Sequence, residues 1–507
     1  MARGARIPAI WRRSILIVLS LVFFAVGMHQ ADRDAPTVDE GVDVSSGVSV
    51  LVRHDLRMNP EHPVLPKILA ALPALIAQPI VPDTQAWRDG DWFDWSDDFI
   101  AANAEAGRLH EILLWSRAVL LLETVAAGAL LYLLTRRFFG PDGGLLAAVA
   151  WLTTPYVVGL GHFAMIDIPF VVMTLAFCLL LARWVDHPST GRTVALGLVL
   201  AAGLASRHTA LVLVLVAVAV MVHHLRKTPR EAATAVGVAG LTSLAGLWLL
   251  YRGLAPSGSS ADVQASFNGL IDGAAGGPAR LVGLLPLPLE WRAGFAYLDL
   301  TSTDRPASLL GRSWDGGMWW FFPVSAALKL PLTLVAAIVV GWAVVIRRAL
   351  HRRALLVYVV IPALALWLLL LAQPLNLGLR LAMPIVALAF VGLGPCPRWC
   401  PTTWGPPGPG SPSGASASSW WCSSWPWPWR RRTRWLGPRR RGRPPTGGSA
   451  TPASTPVRRW TRCATGRRAT TGPTSPSTAR AAWSSAASAG TSSRPTRRRS
   501  AAGWLPP

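Results

Sequence analysis

Thr37-Val38-Asp39-Glu40 places two adjacent carboxylates just beyond an almost wholly apolar run, Ser14 to Met28. A second polar stretch follows, Asp55-Leu56-Arg57-Met58-Asn59-Pro60-Glu61-His62-Pro63. Whether the apolar run is cleaved or retained decides how everything after it is read. Four arginines precede it (Arg3, Arg6, Arg12, Arg13), and no convincing small-x-small cleavage site follows it. A signal peptide shares the basic start but needs that site. A retained helix with a cytoplasmic N-terminus satisfies the rule that loop cations stay inside. Asp39 and Glu40 then lie outside.

The chain has 507 residues, of which 51% are hydrophobic. That is a membrane-protein composition. Several runs reach the roughly 20 apolar residues that cross a bilayer. The formal net charge is +23, but residues 395–507 hold 19 arginines and no acid, leaving +4 for residues 1–394. The basic balance belongs to the tail, so no nucleic-acid partner is expected. Four of the 5 cysteines (Cys396, Cys400, Cys422, Cys463) also lie in the tail. Cys178 alone cannot make a disulfide framework in the body. It reads as a small packing residue.

The cations set the topology. Residues 30–110 form a first long outer loop. Its apolar part, Leu65 to Val81, is interrupted by Pro66, Pro73 and Pro79 and carries Lys67. Those residues favour a helix lying at the interface over a span. Spans follow at Ile112–Leu134, Leu145–Leu160 and Ile168–Ala182, with Arg136, Arg137, Arg183 and Arg192 inside. The run 195–222 has Arg207-His208 in its middle and more cations after it. Two short helices meeting near Arg207 keep those cations inside. Arg207 then sits at the outer side or in a polar cavity, where a charge is costly and functional by default. The alternative is an arginine snorkelling to the interface.

Ala232–Leu250 returns outward to a second outer loop, 252–318, rich in Gly, Ser and Pro. Trp319-Trp320-Phe321-Phe322-Pro323 marks an aromatic belt. Spans at Leu330–Ile346, Ala354–Ala372 and Leu381–Leu393 flank inner cations at Arg347, Arg348, Arg352 and Arg353, and a tight outer turn, Gln373 to Arg380. The expectation is an all-α polytopic membrane protein with about nine or ten membrane segments in residues 1–394.

From Pro395 the alphabet collapses to Arg, Pro, Ser, Thr, Ala, Gly, Trp, Cys, Leu and Val. Most of these residues have GC-rich codons. Residues 395–507 read as a GC-rich frame translated out of phase, or else as a disordered Arg/Pro-rich tail. Translating the other two frames beyond codon 394 decides between them.

The candidate chemistry gathers on the outer side: Asp39 and Glu40, the Asn59-Pro60-Glu61-His62-Pro63 loop, Asp167 before a span, and Arg380 in its turn. Solvated outer-loop acids are the plain alternative. The combination is more specific, because four segments in order resemble phospholipid-carrier-dependent glycosyltransferases. These form the family 39 group, which includes protein O-mannosyltransferases and aminoarabinose transferases. Residues 35–67 resemble the family's first outer loop. Arg136-Arg137-Phe138-Phe139-Gly140-Pro141 resembles its cytoplasmic turn. Trp319-Trp320-Phe321-Phe322-Pro323 through Lys329-Leu330-Pro331-Leu332 resembles its aromatic and Lys-x-Pro-Leu run. Asn376-Leu377-Gly378-Leu379-Arg380 through Pro384 resembles its Asn-x-Gly-x-Arg signature. Three positions depart from the pattern: Val64 for a second proline, Leu381 where His is common, and Arg207 where many relatives carry Lys.

The resemblance implies a GT-C-type helical bundle in the plasma membrane. It implies a polyprenyl-phosphate-linked sugar as donor. A protein, glycolipid or cell-wall glycan would be the acceptor. Asp39 is then the expected base, with Glu40 orienting it or the acceptor, and Asp167 positioning sugar or acceptor. Arg380, Arg207, Lys329 and Lys67 are the expected phosphate cations. Asn59, Glu61, His62 and Asn376 shape the substrate loops. No cofactor is required. A divalent ion on Glu61, His62 and a further acid is the one cofactor left open. A transporter and a non-catalytic truncated product are the other readings, but no inverted repeat of broken helices is visible.

Overall fold

Helix α1 (Ala9–Arg33) is apolar nearly all round, and it buries only Phe23, Gly27 and Ala31. The other apolar side chains face outward, as a lipid-facing helix requires. The computed structural model describes residues 7–274, 278–302, 305–351 and 356–395. The tail reading therefore lies outside the described residues, apart from Pro395, as do Arg352 and Arg353.

After α1 come α2 (Val38–Arg53), α3 (Val64–Ala74), α4 (Gln85–Asp89), α5 (Trp92–Glu105) and α6 (Leu109–Phe139). Then follow α7 (Pro141–Thr153), α8 (Pro155–Leu160), α9 (Asp167–Asp186), α10 (Thr190–Ser206), α11 (Leu211–His224) and α12 (Pro229–Leu254). Among the described residues five helices are long and apolar enough to cross a membrane: α1, α6, α9, α12 and one at Leu332–Leu350. Shorter apolar helices occupy 64–77, 190–206, 208–224, 358–372 and 379–393. The protein is a multi-pass membrane protein. At 1.5 Å rise, a 17-residue helix such as α10 spans about 25 Å, short of the hydrocarbon core.

The breaks have local causes. Pro155 opens α8 directly after α7, so the expected single span at 145–160 is two pieces. Between α10 and α11 the chain is extended at Arg207 and then makes a 3-10 turn, His208–Ala210. The two-helix reading of 195–222 matches that geometry.

The stretch 65–81 turns one face into the bundle and leaves Leu72 and Ile76 exposed. In α3, Val64, Pro66, Lys67, Ile68, Ala70, Ala71 and Ala74 are all buried. Its alanines are small enough for close packing against α2, and Gly47 leaves room where any Cβ would strike the Lys67 backbone. The loop 252–318 is also largely folded. It holds α13 (Ala261–Gly273), α14 (Pro278–Gly283), α15 (Leu289–Thr301) and an antiparallel hairpin, β1 (Pro306–Leu309) with β2 (Arg312–Asp315). Leu310 and Gly311 both have positive φ, 53° and 75°. That is the backbone a two-residue hairpin turn needs. This hairpin is the one departure from all-α among the described residues. After it run α16 (Phe321–Lys329), α17 (Leu332–His351), α18 (Ile361–Ala372) and α19 (Met383–Ala389).

Candidate active site

Helix α2 starts with a capping box. The Thr37 hydroxyl accepts from the Glu40 amide at 3.3 Å, and the Glu40 carboxylate accepts from the Thr37 amide at 3.0 Å. Such reciprocal bonds satisfy two otherwise orphaned helix donors. Glu40 is also fully buried and paired with Arg117 of α6, itself 1% exposed. All five Arg117 donors are used. They reach both Glu40 oxygens at 2.8 Å and the carbonyls of Ala31, Asp34 and Ala35 at 2.7–3.0 Å. The Ala164 amide adds a bond to Glu40 Oε1 at 2.9 Å. Burial pushes the Glu40 carboxyl up, but Arg117 and these amides outweigh it and hold it below the usual range. Glu40 is thus fully engaged inside the bundle, directly beside Asp39 on α2.

Asp39 points the other way. Its side chain is 45% exposed and bonds Arg380 Nη1. Arg380 comes from the 3-10 turn Leu379–Ala382, preceded by Gly378 at φ 116°. A side chain there would be strained, so glycine sets the turn that aims Arg380. Arg380 Nη1 also lies 3.6 Å from Met165 Sδ. Asp167, buried at the start of α9, pairs with Arg207 at the α10–α11 break. Residues 341 and 40 positions apart along the chain are thus joined in these two ion pairs.

The Asn59–Pro63 loop lies against the same cluster. Asn59 has φ 53°, a left-handed backbone that asparagine tolerates. Its side chain donates to Asp43 Oδ1 at 3.0 Å, and its carbonyl accepts from Lys67 Nζ at 2.7 Å. Burial pulls the Lys67 ammonium down to about 8, although Asp43 and Glu61 oppose this. Glu61 Oε1 bonds Arg305 at 2.7 Å and lies 3.6 Å from His62 Nε2. Burial and the charges of Arg207, Lys67, Arg305 and Arg380 push His62 well below its ordinary value, so it is neutral. Glu61 is thus committed to Arg305. Among the described residues no group of three or more His, Cys, Asp or Glu is placed to hold a metal.

The segment 252–318 reaches this loop through α15. Gly294 packs where a Cβ would strike the Pro60 carbonyl oxygen. Trp291 Nε1 donates to Leu204 O at 2.7 Å, and His208 meets Trp291 O at 3.1 Å. Asn376 is buried and donates to Met318 O at 3.3 Å, joining the 373–380 turn to the aromatic run. Lys329 is exposed at the end of α16, its ammonium 5.8 Å from the Tyr156 ring centre. Tyr156 in turn feels Asp167 and Arg380, so Lys329 stands at the edge of the cluster. A small pocket at Arg207 is lined by Thr209 and Gln373 together with apolar residues such as Phe170, Leu366 and Leu370.

Sequence reasoning missed Asp43, Arg117 and Arg305. Arg117 had a signal: a cation inside an apolar run needs a partner. Asp43 had one too, because it falls four residues after Asp39 on the same helix face.

Residues 114–251 match the family of dolichyl-phosphate-mannose-protein mannosyltransferases. The resemblance read from the motifs is borne out there, across most of α6 to α12. No curated protein matches the sequence. Among solved structures the chain is similar to ArnT from Cupriavidus metallidurans bound to undecaprenyl phosphate. Identity is 13%, TM-score 0.48, covering 76% of this chain and 60% of that one. It is also similar to the archaeal oligosaccharyltransferase AglB from Archaeoglobus fulgidus in complex with an inhibitory peptide and a dolichol-phosphate. Here identity is 14%, TM-score 0.47, covering 76% and 50%. The chain thus spans less than two thirds of these neighbours.

Proposed function

We propose that the chain transfers a sugar from a polyprenyl-phosphate carrier to an acceptor at the outer face of the membrane. One observation carries this reading: two carboxylate–arginine pairs, Asp39–Arg380 and Asp167–Arg207, gather in one cluster, with Arg380 also feeling Asp167. Arginine suits the phosphate at the head of such a carrier. The family match over residues 114–251 supports the same class.

In this reading the donor phosphate binds Arg207, Arg380 and Lys67, and so competes with Asp39 for Arg380. The released Asp39 carboxylate takes the proton of the acceptor hydroxyl or phosphate. The acceptor oxygen attacks the anomeric carbon from the face opposite the leaving group. The bond from that carbon to the lipid phosphate breaks, its electron pair goes to the phosphate oxygen, and the sugar inverts. The cations stabilise the charge that develops on the phosphate.

The test is sugar transfer in membranes containing the full chain, supplied with radiolabelled sugars on polyprenyl phosphate. R207A and R380A are each expected to lose about 100-fold or more, the usual cost of removing one charge-stabilising donor. Full transfer by both variants overturns the reading.

A further inference from the structure

Among the described residues Asp43 is the one cluster carboxylate in no ion pair. Asp39, Asp167, Glu61 and Glu40 each pair with an arginine. Asp43 is 5% exposed, and its observed partner is the neutral Asn59 amide at 3.0 Å. A buried carboxylate held only by a neutral donor is strongly disfavoured, so the group takes up a proton instead. Lys67 shows the complementary feature. Of the four cations Arg207, Arg305, Arg380 and Lys67, it alone bonds no carboxylate among the described residues, only the Asn59 carbonyl at 2.7 Å.

We infer that Asp43 is a positioning residue that works as an uncharged acid, fixing Asn59 and through it leaving Lys67 uncompensated for the donor phosphate. This deepens the proposed function and rests on it for the word donor. The protonation of Asp43 stands independently of any substrate.

The arrangement follows from the fold. Asp43 lies one helical turn after Asp39 on α2, so both side chains share one face. Asp39 is at the exposed end and Asp43 is beneath it. The charged groups acting on Asp43 are Lys67 from α3, Asp39 from its own helix, Asp167 from α9 and Arg380 from the outer turn. Lys67 acts most strongly among them and opposes the rise, as does Arg380, while Asp39 and Asp167 add to it. Burial dominates and pushes the Asp43 carboxyl up to about 8. Asn59 ties the pieces together, with its amide on the acid and its carbonyl on the lysine. An ionised Asp43 would face Lys67 as a counter-charge and weaken its hold on an incoming phosphate. A protonated Asp43 keeps the geometry without the charge.

The test is infrared spectroscopy of the full chain in nanodiscs, with aspartate carboxyls labelled with carbon-13. The expected result is a protonated-carboxyl band at pH 7 that moves with the label, persists in D39N and is absent from D43N. No label-sensitive acid band at pH 7 in the unsubstituted protein would overturn the inference, whatever D43N does. So would a band that survives D43N. Binding of fluorescent undecaprenyl phosphate is the second readout. D43N, which keeps an acceptor for Asn59, should bind about tenfold more tightly than D43A, the equivalent of one hydrogen bond. Equal loss in both variants contradicts an uncharged role. The infrared result needs no donor, so it stands or fails apart from the transferase reading.

Discussion

At the residue scale, the sequence marked the acids but not their division of labour. Asp39 and Glu40 are neighbours, so they leave α2 about 100° apart. One meets Arg380 near solvent, and the other is sealed against Arg117. No local pattern distinguishes them, because the difference lies in what α6 and the outer turn bring alongside. Lys67 carries a pH prediction. Burial holds its ammonium near 8. It is therefore charged below that pH and neutral above it. Affinity for polyprenyl phosphate should fall as pH rises from 7 to 9, and K67R should move the fall to higher pH. A flat profile in the unsubstituted protein would remove Lys67 from phosphate binding.

At the element scale, cation placement read the helices well where a charge interrupts them. Arg207 broke 195–222 as expected. Pro66 and Pro73 suggested a helix at the interface; α3 leaves Leu72 exposed, while its alanines and Gly47 permit a close packing of the other face that composition alone does not reveal. The second outer loop looked irregular from its Gly, Ser and Pro content, but α15 docks through Trp291 and Gly294. Arg117 is the main fastener between elements. It joins the end of α1, the start of α2 and α6, and its partner Glu40 takes the Ala164 amide. R117L leaves the buried Glu40 carboxylate without its cation and takes the arginine's bonds from three carbonyls. It should lower stability by about 3–5 kcal/mol, as breaking one side of a buried pair does. Thermal unfolding in detergent measures this, and an unchanged midpoint would show the pair to be dispensable.

At the scale of the whole molecule, topology and site support each other. The basic N-terminus and the Arg136-Arg137, Arg183 and Arg347-Arg348 clusters fall on one side in the positive-inside reading. Asp39, Asp167, Arg207 and Arg380 then gather on the other. Cysteines introduced at exposed Asp94 and Asp262 should react with a membrane-impermeant maleimide in intact cells. One at Lys227 should react only after lysis. The opposite pattern would invert the topology and put the cluster at the cytoplasmic face. The class of protein was legible because hydropathy and charge act over long windows. The pairing of Asp39 with Arg380, 341 residues apart, was not, since only the folded bundle joins them.

The central claim is that Asp39 is the base of a lipid-linked sugar transfer. It is tested most directly by single-turnover transfer from a polyprenyl-phosphate sugar in D39N, with carrier binding measured in parallel. The account predicts that carrier binding persists while the transfer rate falls by about 100-fold or more, as loss of a general base does. Transfer by D39N at the unsubstituted rate would contradict it.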